Sequence, residues 1–253
     1  MRHACMKTVD EKPAKRPPEK EKSRFARWLG HRHDPLTSLL LTIPVFLVYH
    51  LGILVMNMRN GVDLVSGLTY ELLEHSLLAY VAVTLGYALA IGGTVYFLRR
   101  KGKLKPAELL PVLGESAVLA VVMAFTVGWA TSHLFDAQAG PPAMGPLEKL
   151  VMSAGAGFHE ELVFRAILFG GGAFLLKKLM KTSELKAALI MAVVSSLLFS
   201  AVHYVGPFSD PFSLASFTFR ALAGLFLVTV YRFRGFAVAV YTHAIYDLIV
   251  FFL

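Results

Sequence analysis

About seven apolar stretches, each close to the length of a membrane crossing, constrain this chain more than any other feature. A helix needs roughly 20 apolar residues to span a bilayer, and such stretches fall near residues 35–58, 74–98, 113–135, 147–176, 186–205, 213–231 and 235–253. Over 253 residues the chain is 56% hydrophobic with a mean hydropathy of +0.59, well above a soluble domain of ordinary composition. The expected fold is all-α: a polytopic membrane helix bundle of about seven transmembrane helices. No internal repeat or heptad run subdivides it, so residues 35–253 read as one transmembrane domain.

Residues 1–34 differ in character. The run "EKPAKRPPEKEKSRFARWLGHRHDP" is rich in Lys, Arg, Glu and Pro with little to bury, which reads as a disordered basic tail. Within it, Phe25, Trp28 and Leu29 among arginines suit the membrane surface. The tail lacks an apolar stretch followed by a small-residue cleavage site, so it does not read as a signal peptide. The single cysteine, Cys5, excludes an intrachain disulfide or a cysteine metal cluster and reads as an inert thiol.

With the N-terminus cytoplasmic, 21 of the 25 Lys and Arg fall in cytoplasmic segments; Arg59 and Lys149 lie outside, and Arg165 and Arg220 lie within spans. The positive-inside rule selects that orientation. Topology and anionic lipid then account for the formal charge of +8, and no nucleic-acid partner is expected.

The fourth stretch breaks the apolar pattern. It contains "GFHEELVFRAILFG", residues 157–170, with a histidine, two glutamates and an arginine at membrane depth. An ionisable residue at a helix centre costs about 2.5–3.5 kcal/mol on insertion scales, so this cluster demands compensation or a use. Glu161 and Arg165 are four apart and share a helix face, about 40° around from one another, whereas Arg165 lies about 140° from Glu160. Glu161 is therefore expected to pair with Arg165. Glu160 has only apolar neighbours at Val163 and Phe164 and must find its partners on other helices.

Those partners are expected in "LLFSAVHY", which carries His203, and in "VYTHAIYD", which carries His243 and Asp247. The last two are spaced i, i+4, so Asp247 is expected to orient the His243 ring and fix its tautomer. A lone membrane histidine is as well explained by interhelical hydrogen bonding as by catalysis. Three spans that each contribute acid or base groups point instead to one buried site.

Taken in order, Glu160-Glu161-x-x-x-Arg165, Phe199-x-x-x-His203 and His243-x-x-x-Asp247 resemble the motifs of the CAAX-protease and bacteriocin-processing (Abi) family of intramembrane proteases. The resemblance covers residues 147–253; the first three stretches carry no part of it. It implies hydrolysis of a peptide bond in a membrane-anchored or lipid-modified substrate. Glu160 would activate water as general base, His203 and His243 would assist or stabilise the oxyanion, and Asp247 would support the site; Glu161, paired with Arg165 by its spacing, is expected to hold the helix in place. Such roles agree with general-base and oxyanion chemistry.

"HEELV" begins like a zinc-protease helix, but the second histidine of H-E-x-x-H would fall at Val163, which excludes a zincin. Glu160, His203, His243 and Asp247 remain a possible zinc ligand set, although the expected chemistry is metal-free. Arg220 is expected to pair structurally, for example with Asp247, rather than to steer a substrate carboxylate. His159 is expected to point away from Glu160, and His50, His75 and His133 read as structural. The glycines at 155, 157 and 170–172 suit close helix contact. A non-catalytic scaffold or immunity protein and a proton-coupled transporter are the alternatives; the transporter would commonly show repeated halves and broken helices.

Overall fold

The computed structural model describes residues 33–56, 60, 62–63, 76–100, 108–133, 144–205 and 209–252. The basic tail with Cys5, Phe25, Trp28 and Leu29 lies outside the described residues, as do Arg59 and His75. Every regular element among the described residues is helical: α1 (Pro35–Leu41), α2 (Ile43–Val55), α3 (Leu77–Arg100), α4 (Leu109–Ser132), α5 (Pro146–Gly155), a π-helix (Ala156–Gly171), α6 (Gly172–Met180), α7 (Glu184–Val202), α8 (Leu214–Arg234) and α9 (Phe236–Phe252). The fold is the expected all-α bundle.

Three helices, α4, α7 and α8, are long and apolar enough to cross a membrane, and the α1–α2 pair makes a fourth if its two halves form one span. Among the described residues, three or up to four helices thus meet the test of length and apolarity, which does not confirm the seven crossings expected. α9 is apolar but has only 17 residues. The helix from α5 through α6 carries the charged cluster in its middle. Apolar side chains cover the exterior, including Leu89, Phe125, Ile167 and Leu189, as befits an integral membrane protein.

Local chemistry sets the helix ends. Asp34 caps α1 by accepting from Leu36 N and Thr37 N, each at 3.1 Å, and Pro35 occupies the first turn, where its missing N–H costs nothing. Bonds to Thr37 and Leu36 hold the Asp34 carboxyl below its usual pKa. The stretch 35–58 is not one straight helix. Pro44 cannot donate to the preceding turn, and the helix bends by 42° at Thr42, as an interior proline requires. Gly145 N donates to Glu148 Oε2 at 2.7 Å ahead of α5. Ser183 and Ser213 cap α7 and α8.

The turn from α8 to α9 takes a single residue, Gly235, at φ 95° and ψ −178°. That backbone region is essentially open only to glycine, so this glycine makes the reversal possible. Arg234, beside it, forms an ion pair with Glu115 of α4. Lys177 and Arg232 both reach Glu184, at 3.1 and 3.2 Å. His33 stands 3.0 Å from Glu108. These pairs fasten the same end of the bundle, where α1, α4, α7 and α9 begin and α6 and α8 finish.

α9 lies at the centre. Every residue from Phe236 to Ala244 is buried, because "FAVAVYTHA" presents no charged face before His243 and a helix apolar all round belongs inside. It packs on Tyr49, Val112, Val151 and Phe158. Ser116 Oγ donates to Val238 O at 3.2 Å and Tyr241 OH to Leu41 O at 2.8 Å. The π-helix approaches α9 at Gly157, where a β-carbon would stand 2.8 Å from both Val240 O and Ala244 Cβ. Backbone oxygen cannot yield as a flexible side chain can. Gly157→Ala should therefore lower stability by about 1–3 kcal/mol, read as a lower unfolding temperature in detergent; an unchanged temperature would refute this close approach.

Candidate active site

The motif helix is wound more widely than expected. Residues 156–171 form sixteen residues of π-helix, and Gly172 N still reaches Ile167 O, five residues back. Such winding is rare and concentrates at functional sites. Proline is absent from the segment, and its composition carries no signal for π over α. The wider turn buries three consecutive polar side chains, His159, Glu160 and Glu161, with 1%, 5% and 0% exposure. Each faces a different partner.

Glu161 pairs with Arg165 at 3.2 Å, both side chains fully buried. The guanidinium makes no aligned hydrogen bond among the described residues; the carboxylate and the Phe199 ring, 4.2 Å from Cζ, hold it. Glu161 Oε1 also accepts from His243 Nδ1 at 2.8 Å. This corrects the role expected for Asp247. Glu161 orients the His243 ring and fixes its tautomer from another helix, while Asp247 stands 3.7 Å from Nε2 on the opposite edge.

Glu160 faces a cavity of about 450 Å³ lined also by His203, His243, Asp247, Asn60, Arg220 and Asp210. Its Oε1 accepts from Asn60 Nδ2 at 2.8 Å. Its Oε2 lies 4.0 Å from His203 Nε2 and 3.9 Å from His243 Nε2. His203, at the end of α7, donates its Nδ1–H to Phe199 O at 2.8 Å. A carbonyl can only accept, so the partner assigns that proton. Both imidazoles are thus anchored through Nδ1 and present Nε2 to the same carboxylate oxygen.

The expected zinc set is gathered, but its spacing is loose. Zinc takes N and O ligands at about 2.0–2.2 Å, which puts neighbouring donors roughly 3.3–3.5 Å apart in a tetrahedron. The separations found are 3.7–4.0 Å, and among the described residues no group of three or more His, Cys, Asp or Glu is set to hold a metal ion.

A second polar cluster adjoins the first. His159 turns away from Glu160, as expected, and places Nδ1 3.5 Å from Asp63 Oδ1. Tyr49 OH donates to Asp63 Oδ2 at 2.8 Å and accepts from Asn60 N at 3.0 Å, while Val62 N donates to Asn60 Oδ1 at 2.8 Å. His50 packs against Tyr49 and His159. The Asn60–Asp63 turn thereby reaches into the bundle and takes hold of Glu160. Sequence reasoning missed Asn60, Tyr49 and Asp63: Asn60 and Glu160 are 100 residues apart and no spacing rule connects them.

Arg220 also departs from expectation. Its partner is Asp210, at 2.5 Å from NH2, not Asp247; NH1 donates to Tyr204 OH at 2.9 Å and Ser216 Oγ at 2.8 Å. His133 ends α4 with Nδ1 2.8 Å from Trp129 O, a structural role.

Residues 142–249 match the family model described as type II CAAX prenyl endopeptidase Rce1-like. This segment belongs to the CAAX-protease family. The match contains Glu160, Glu161, Arg165, His203, His243 and Asp247, all the residues of the three short motifs, and begins just ahead of α5. No curated protein and no solved structure matches the chain. The family match over this segment supports a hydrolase, a protease of the membrane.

Proposed function

We propose that the protein is a glutamic-type intramembrane endopeptidase that cleaves a membrane-anchored or lipid-modified polypeptide. The observation that carries this reading is the convergence of two Nδ1-anchored imidazoles on one oxygen of Glu160. Gaps of 3.9–4.0 Å are too long for direct hydrogen bonds and suited to a bridging water. Glu160 Oε2 takes a proton from that water as its oxygen bonds to the substrate carbonyl carbon. With Nδ1–H already held, His203 or His243 in its imidazolium form, which carries a proton on both nitrogens, donates from Nε2 to the oxyanion that forms. Collapse of the tetrahedral adduct breaks the C–N bond, and the proton held by Glu160 passes to the departing amine. Asp247 supports His243 from the cavity side. Chelator dialysis should leave turnover unchanged if the reaction is metal-free.

A scaffold needs none of this convergence, and a transporter would show repeated halves; neither alternative is favoured. Incubating purified protein and a Glu160→Ala variant with prenylated and transmembrane-anchored candidates tests the reading. Equal substrate loss in both would end it.

The proposed topology is a single domain over residues 35–253, crossing seven times with the N-terminus cytoplasmic. The fastened end of the bundle is also the basic one, carrying Lys177, Lys178, Lys181, Lys186, Arg232 and Arg234, which supports that orientation. Met144, Asp210 and Phe251 line the cavity from the other end. In a Cys5→Ser background, a cysteine replacing Val205 should be labelled by impermeant reagent from the non-cytoplasmic face and one replacing Lys181 from the cytoplasmic face. The reverse pattern would invert the topology.

A further inference from the structure

We infer that Arg220 is the anchor for the free C-terminal carboxylate of the substrate, and that Asp210 occupies its place in the resting protein. The inference rests on the peptidase reading. Among the described residues that line the cavity, Arg220 is the one Lys or Arg, against the acids Glu160, Asp210 and Asp247. A carboxylate entering this space is repelled by those acids and matched at Arg220. Apolar side chains, including Met123, Phe219, Leu227 and Tyr246, form much of the remaining wall, which suits apolar residues ahead of that terminus.

The guanidinium is prepared for the task. NH1 is held by Tyr204 OH and Ser216 Oγ, and Cζ lies 5.3 Å from the centre of the Tyr204 ring. These contacts fix the guanidinium plane and leave NH2 for a carboxylate oxygen. The carboxylate there now, from Asp210, belongs to a side chain 52% exposed. An ion pair with so exposed a partner contributes little to stability, so it exchanges at small cost. An arginine on a membrane helix otherwise carries an insertion cost with no return. Asp210 N donates to His203 O at 2.9 Å, so the segment that holds the resting carboxylate is tied directly to the residue beside Glu160.

The test uses the full chain in detergent with an S-farnesylated octapeptide ending in Val, Ile and Met, made as free acid and as C-terminal amide. The free acid should be cleaved with kcat/KM roughly tenfold or more above the amide, the range of a hydrogen-bonded charge. Arg220→Gln should collapse that ratio toward one by raising KM for the acid, and Arg220→Lys should restore part of it. Asp210→Asn keeps the backbone link to His203 and should lower KM for the acid. Amide turnover reports whether each variant is folded. Equal wild-type cleavage of acid and amide, or an Arg220→Gln loss equal for both, would overturn the anchor while leaving the peptidase reading standing. Cleavage of neither form by wild type would overturn the anchor, and would overturn the peptidase reading as well if the transmembrane-anchored candidates are also left intact.

Discussion

Glu160→Gln is expected to lower turnover by roughly 10²–10⁴-fold, the usual contribution of a general base, while the folded protein and its substrate affinity stay nearly intact. The amide keeps the shape of the carboxylate. Its oxygen can still accept from Asn60 Nδ2, which now sits 2.8 Å from Glu160 Oε1, but its nitrogen replaces Oε2 and cannot take a proton from water. Asn60→Ala should also reduce turnover, by a smaller factor, because it frees the carboxylate to rotate away from His203 and His243 without removing it. Turnover per folded molecule, with detergent thermal unfolding in parallel, separates chemistry from stability. A stable Glu160→Gln protein that turns over like wild type would transfer the role of base to another residue.

How much of this site could be read from the sequence follows from the range of each interaction. The Glu161–Arg165 pair was legible because helical neighbours four apart meet in α winding, and the contact survives at 3.2 Å in the wider π winding. Membership of Glu160, His203 and His243 in one cavity was legible because buried charge has few destinations in lipid. The tautomer of His243 was not. Asp247 is its neighbour by spacing, yet Glu161, 82 residues away in sequence, takes Nδ1 at 2.8 Å, and only the packing of α9 against the π-helix decides between them. Asn60 and Asp63 were hidden for the same reason, lying on a turn that owes its position to Tyr49. Arg220 was misassigned because its true partner comes from the segment after α7, whose course no periodicity describes. Helix positions followed from hydropathy, but the break at Thr42 required attention to Pro44, and the π winding has no compositional mark.

The largest effect on stability should come from Glu161. Its carboxylate serves two groups, Arg165 at 3.2 Å and His243 Nδ1 at 2.8 Å. Glu161→Gln leaves the Arg165 guanidinium buried without a counter-charge, a change that typically costs about 3–5 kcal/mol, and folded yield should fall accordingly. Arg165→Met strands the opposite charge but leaves Glu161 bonded to His243. It should lose comparable yield while the surviving molecules keep more of their turnover, since the His243 ring remains held. Because an uncompensated buried charge costs more than the pair contributes, Glu161→Gln combined with Arg165→Met should be more stable than either single variant and still impaired in turnover, having lost the carboxylate that orients His243. Yield, unfolding temperature and turnover per folded molecule across the three variants test this division. A double variant no more stable than the singles would remove the buried-pair account. A stable but inactive Glu161→Gln protein beside an active Glu160→Gln protein would exchange the roles of the two glutamates.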